Sequence, residues 1–268
     1  AYREAGLDPD SPPETWAEFV EASKALTRTT ESGVEQYGFG IAGGGEVSNT
    51  IFRSLPFIWM NGGNIISTDL SEVGLDSPES IEAVDFYTSM LTEHGVAPPS
   101  TLENDGTALR RLFIAGTIAQ PQSGKFDPAS IHQENPALEV GTALLPHPEG
   151  KERAAILGGW NFVIPEAAPN KEDAATFLAF LAEPENMGYY TDTFPARESA
   201  MELERFQDPE LGSFREMLKY ARQQPPSANW VQITQIYFDY VQEALLGSMS
   251  AEEAMTEAAA EIEPLLGQ

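Results

Sequence analysis

An α/β fold is the class this sequence predicts, and three observations carry it. Short apolar runs bounded by glycine or proline recur, the clearest being Leu157-Gly158-Gly159-Trp160-Asn161-Phe162-Val163-Ile164 ahead of Pro165. That pattern reads as a buried strand. Longer stretches with apolar residues at helical spacing alternate with these runs, several opening on a capping residue and closing on glycine. Hydrophobic residues make up 41% of the 268 and aromatics 10%, enough for a packed core.

Taken in order, Tyr2 to Leu7 read as a helix end stopped by Gly6, and Asp8 to Pro13 as a proline-rich connector. Thr15 caps an amphipathic helix with Glu18 in the capping-box position. Tyr37-Gly38-Phe39-Gly40-Ile41 alternates like a strand and runs into Gly43-Gly44-Gly45, predicted to be a flexible turn. No Lys-Ser or Lys-Thr follows those glycines, which excludes a phosphate-binding P-loop. Ile51, Phe52, Leu55, Ile58 and Trp59 mark a helix that ends at Gly62-Gly63. Ser77-Pro78-Glu79 starts another, Leu109 to Ala115 a third, and Thr117-Ile118-Ala119 reads as a strand. Val140 to Leu145 is a further expected strand. Behind the run at 157–164, Asn170 caps a helix whose apolar face is Ala174, Phe177, Leu178 and Leu181, and a helix through Tyr190 follows. Three helices are expected to finish the chain: Leu211 to Arg222, Val231 to Leu246 and Ala251 to Leu265.

Composition narrows the function. With 42 acidic against 15 basic residues the net charge is -27. That balance argues against binding nucleic acid or an anionic membrane through a basic face. The sequence holds no cysteine, which rules out disulfides, thiolate metal sites and cysteine nucleophiles. His94, His132 and His147 are too scattered for a metal site. No run is long and apolar enough to span a bilayer, and no N-terminal stretch reads as a secretion signal. The chain opens on Ala1, so a processed protein or a piece of a longer one is expected.

The order of motifs resembles a known family. The landmarks are Pro13-Glu14-Thr15-Trp16, Gly62-Gly63, Asp76-Ser77-Pro78-Glu79, Phe113-Ile114-Ala115-Gly116-Thr117-Ile118-Ala119, Pro169-Asn170-Lys171-Glu172 and Ser250-Ala251-Glu252-Glu253-Ala254. In this sequence they are similar to the extracellular solute-binding proteins of ABC importers, in the sugar-binding branch typified by maltose-binding protein. The resemblance implies a periplasmic-binding-protein-like type II fold, with residues 8–156 and 197–268 forming the C-terminal lobe. Residues 1–7 and 157–196 would then be a remnant of the N-terminal lobe. Phe162, Ile164, Phe177 and Leu181 would belong to a core whose other half is missing, exposing an apolar patch.

The same resemblance implies a function without bond breaking: two lobes close on a sugar, and the closed form docks on a membrane permease outside the cytoplasm. It implies no cofactor. Phe126 falls where the family places a stacking tryptophan, with Lys125 in place of the usual proline. Trp160 follows the family's glycine pair, so Gly158, Gly159, Trp160 and Asn161 are candidate contacts. Thr50, Phe52 and Arg53 fall on the helix start that supplies polar and aromatic contacts, and Trp230, Tyr237 and Phe238 where another stacking aromatic is usual. Helix core is the competing role for Phe52, Tyr237 and Phe238, because a buried stripe has the same spacing. Two other functions stay open: the same receptor fold with a phosphorylated polyol or polyamine as solute, and a glycoside hydrolase. The hydrolase needs two carboxylates facing across a cleft, and no Asp or Glu sits in a recognisable catalytic setting.

Overall fold

The computed structural model describes residues 1–266. The helices sit where local signals place them. Helix α1 (Trp16–Leu26) opens on the predicted capping box: the Thr15 hydroxyl accepts the Glu18 amide, and the Glu18 carboxylate accepts the Glu14 and Thr15 amides. Helix α2 (Val47–Asn61) stops at Gly62, which adopts φ 94, a left-handed conformation that glycine takes without strain. Helix α3 (Pro78–Thr92) is capped by Ser77 with Pro78 in its first turn. Helices α4 (Gly106–Ile114), α5 (Asp127–Glu134), α6 (Lys171–Leu181), α7 (Pro184–Tyr190), α8 (Glu198–Met201) and α9 (Gly212–Met217) follow. The chain then makes α10 (Trp230–Leu246) and α11 (Ala251–Ile262), the last behind a second capping box of Ser250 and Glu253.

Helices α2, α3, α10 and α11 pack together and enclose the core. Leu55 and Ile58 of α2, Tyr87 and Met90 of α3, Tyr237 and Val241 of α10, and Met255 of α11 are all buried there. Trp16 joins from α1, stacked on Phe86 at 4.1 Å with its indole N–H donating to the Pro146 carbonyl. Its backbone N–H donates to the His147 carbonyl at 3.0 Å, tying α1 to the 140–150 stretch.

The β-structure is smaller than the sequence predicts. Strands β1 (Arg28–Thr29) and β2 (Glu35–Gln36) pair antiparallel with Arg28 opposite Gln36. Strands β3 (Ala155–Ile156) and β4 (Ala221–Arg222) pair parallel with Ala155 opposite Ala221. The expected strands at 37–41 and 117–119 meet only through single parallel bridges, Tyr37 with Ile118 and Gly40 with Pro121. Pro121 has no N–H to extend that ladder. Val140 to Leu145 forms no strand.

The run at 157–164 is not a buried strand either. β3 ends at Ile156, and beyond the Leu157 amide, which donates to the Arg222 carbonyl, no strand lies alongside it among the described residues. An apolar run without a partner strand has no ladder to join. Helix α6 buries none of its residues. Of the residues expected to form an exposed apolar patch, Phe162 and Phe177 are 62% and 58% exposed, and Ile164 and Leu181 are half-buried.

Two further expectations change. Gly43 and Gly44 are buried rather than flexible: their amides donate to the Thr101 and Asn104 carbonyls, and a Cβ on Gly43 would lie 3.0 Å from the Thr101 oxygen. The helix expected from Leu211 to Arg222 breaks into α9, a 3-10 turn over Leu218–Tyr220, and β4.

Candidate functional site

Three segments meet at one edge of the helical core: the front half of α2, the loop 120–126 before α5, and the chain leaving β3. A proline sets up the first junction. Pro56 lies inside α2 and has no N–H for the carbonyl of Phe52, four residues earlier. The Gln122 carboxamide fills part of that gap, its N–H reaching the Phe52 oxygen at a long 3.5 Å. The Arg53 guanidinium makes the second tie, donating from Nε to the Gln122 carbonyl at 3.2 Å and from Nη1 to the Asn49 carbonyl at 3.0 Å. Burial holds its pKa below the ordinary arginine value, offset in part by Tyr87, Asp127 and Asp105.

The third segment touches the first directly. A Cβ on Gly158 would lie 2.6 Å from the Phe52 ring, so the ring rests against bare backbone that any side chain would displace. Two residues on, Trp160 projects with 99% of its surface exposed. Asn161 and Gly159 are also exposed. Phe162 turns back and meets Tyr190 of α7 edge-on at 5.8 Å.

Phe126 stands at the front of α5, 44% exposed. Its ring lies over Gly124, where a Cβ would come within 2.5 Å of it. The Asp127 amide closes the turn onto the Gly124 carbonyl, and the Asp127 carboxylate takes the Ser123 hydroxyl and an ion pair from Arg110 at 3.1 Å.

The structure therefore brings Phe52, Arg53, Phe126, Gly158, Gly159, Trp160 and Asn161 onto connected segments, and separates the others. Thr50 is fully buried, its hydroxyl donating to the Ala42 carbonyl at 2.7 Å, so it has no free group to offer a ligand. Arg53, 8% exposed, works inward on two carbonyls. Tyr237 lies in the core with 0% exposure, its hydroxyl donating to Ser54 and its pKa pushed up by burial. Phe238 is buried beside it on α10. For these two the buried-stripe role wins. Trp230 is half-buried against the core, and its indole N–H donates to the Gln224 side chain.

Gln122 is a participant that the sequence alone does not single out, and Lys125 stands out in it only as a replacement for the family's usual proline. The signal for Gln122 was Pro56, since an interior helix proline leaves a carbonyl needing a donor.

Comparison with known proteins assigns the chain. The sequence profile of the family described as bacterial extracellular solute-binding protein matches residues 1–188, more than half the chain. The chain belongs to this family. A Brucella abortus protein named only as a binding protein is 25% identical over 99% of the chain, and the chain spans 63% of that relative's length. The Thermotoga lettingae ABC-transporter solute-binding protein, solved with α-D-tagatose, superposes with a TM-score of 0.86 at 29% identity, over 99% of this chain and 68% of that one. The maltose-bound protein of T. maritima superposes with a TM-score of 0.85 at 25% identity, over 98% of this chain and 68% of that one.

These superpositions establish the α/β type II periplasmic-binding-protein-like fold despite the short strands. This family and these structures are binding proteins rather than enzymes. Among the described residues no helix is long and apolar enough to cross a membrane, and no group of three or more His, Asp or Glu side chains is placed to hold a metal.

Proposed function

We propose that this protein is a solute-binding receptor of an ABC-type importer, which holds a sugar between two lobes and delivers it to a membrane permease. The observation that carries this is Trp160: an indole almost wholly exposed, on the segment whose Gly158 backbone meets the Phe52 ring. An uncovered indole is the flat apolar face that a sugar ring stacks on, and glycine backbone lets the ligand come close. Phe126 supplies the second aromatic face. In this reading residues 8–156 and 197–268 form one lobe, and 1–7 and 157–196 belong to the opposing one. The unburied face of α6 supports that division, since a helix with apolar residues and no buried position lacks the layer it is built to cover.

The ligand class follows from the same groups. Aromatic faces and backbone N–H groups suit the apolar and hydroxyl edges of a pyranose, and the tagatose and maltose bound by the two related structures are of that class. No bond is broken in this function, and hydrolysis of aryl glycosides by the protein is expected to be absent.

Calorimetric titration of the protein with maltose and with D-tagatose tests the reading. Saturable binding of either sugar supports it. Binding of neither, or steady turnover of an aryl glycoside that is lost on replacing one carboxylate, overturns it.

A further inference from the structure

We propose that Lys125 is a positioning residue for the ligand site, fixing Phe126 relative to the segment that carries Trp160. The proposal rests on the solute-binding reading and adds a residue to it.

Lys125, in the loop before α5, reaches away from that helix. Its Nζ donates to the Asp192 carbonyl at 2.7 Å and lies 5.1 Å from the centre of the Phe206 ring. That ring is fully buried, and a second cation sits on it: the Arg205 guanidinium carbon is 5.0 Å from the same centre. Arg205 also donates to the Thr191 carbonyl at 3.1 Å, the Tyr189 carbonyl at 3.3 Å and the Gly188 carbonyl. Residues 188–190 form the last turn of α7, whose carbonyls have no donors within the helix and carry the negative end of its dipole. Two cations share one phenyl ring because these oxygens and the ring face offset their repulsion. Burial and the neighbouring Arg205 both pull the Lys125 pKa down, and the Asp192 side opposes them.

The consequence lies in what each end of this clamp holds. On one side Lys125 sits between Gly124 and Phe126, so fixing its backbone fixes the ring that folds over Gly124. On the other, α7 is joined to the Trp160 segment through Tyr190 and Phe162. Lys125 thus closes a path from Phe126 through residues 188–206 to Phe162, two residues from Trp160. The opposite side of the same loop is held by Gln122 under Phe52, which rests on Gly158.

A double-mutant cycle in the protein tests the proposal, with maltose affinity by calorimetry and stability by denaturant as paired readouts. Lys125→Met keeps an unbranched stem on the Phe206 ring and removes the charge and the donor. It is expected to weaken maltose binding about fivefold, the scale of a single cation–π contact. In a Phe126→Ala background the same change should alter affinity less than twofold, because the residue Lys125 acts through is gone. Lys125→Arg restores a cation and donors and should return affinity to within about twofold of the parent. Lys125→Gln, which removes the charge, carries the same cycle if the methionine variant does not fold.

Losses from Lys125→Met and Phe126→Ala that simply multiply, or a Lys125 effect on stability alone, overturn the positioning role. A different result sinks the reading beneath it: Phe126→Ala leaving maltose affinity unchanged removes Phe126 from the site altogether.

Discussion

Replacing Trp160 with alanine separates a binding aromatic from a structural one by magnitude. In the structure 99% of its surface is open, and its ring makes no aromatic or cation contact among the described residues. Truncation therefore leaves no cavity and removes no buried area, so stability should change by less than about 0.5 kcal/mol, the range of ordinary surface substitutions. A tryptophan packed in the core would instead cost about 3–5 kcal/mol on truncation. Ligand affinity should move the other way. A stacked aromatic contributes about 1–2 kcal/mol, and 1.4 kcal/mol is a factor of about ten in Kd. The assay is a denaturant titration and a calorimetric sugar titration on the same two proteins. Loss of several kcal/mol of stability, or affinity equal to the parent, would refute the reasoning.

Other consequences follow from the scaffold. Lys151 donates to both the carbonyl and the side-chain oxygen of buried Asn61 at the end of α2, at 2.8 and 2.6 Å; Lys151→Met should lower stability by about 1 kcal/mol with an unchanged denaturant slope. Gly158→Ala should displace the Phe52 ring, where its Cβ would lie 2.6 Å away, and weaken sugar binding with little loss of stability. The Glu18 and Glu253 carboxylates are held below their ordinary value of 4.5 by backbone amides, of Glu14 and Thr15 for the first and of Ser250 for the second. Their folded-state values are depressed, so their contribution is complete above that ordinary value and is lost as pH falls through the folded one; the Glu18→Gln, Glu253→Gln double variant should flatten that part of the stability profile.

The helices were legible because their signals are local. Thr15 with Glu18, Ser250 with Glu253, Ser77 before Pro78, and Gly62 after α2 each act within one turn of the residue that needs them. Strands depend on a neighbour that sequence does not name. The 157–164 run has the apolar character of a strand but, among the described residues, no partner strand beyond Leu157, and the 37–41 and 117–119 pair is cut short at Pro121. Site residues divide the same way. Trp160 behind two glycines was readable as a stacking contact or as a core residue of a buried strand, and its exposure appears only in the structure. Tyr237 and Phe238 were not separable from contacts, because Ser54 and the facing helices that bury them lie far off in sequence. Thr50 looks available until Ala42 is seen to accept its hydroxyl. Lys125 gains its role only from residues 192, 205 and 206.

Hydrogen–deuterium exchange with and without saturating maltose tests the central claim most directly. If the three segments form the solute site, protection should rise at 50–54, 120–127 and 157–162 and stay unchanged along α10 around Tyr237 and Phe238. Protection confined to α10, with the 157–162 backbone exchanging as fast as in the free protein, would contradict it.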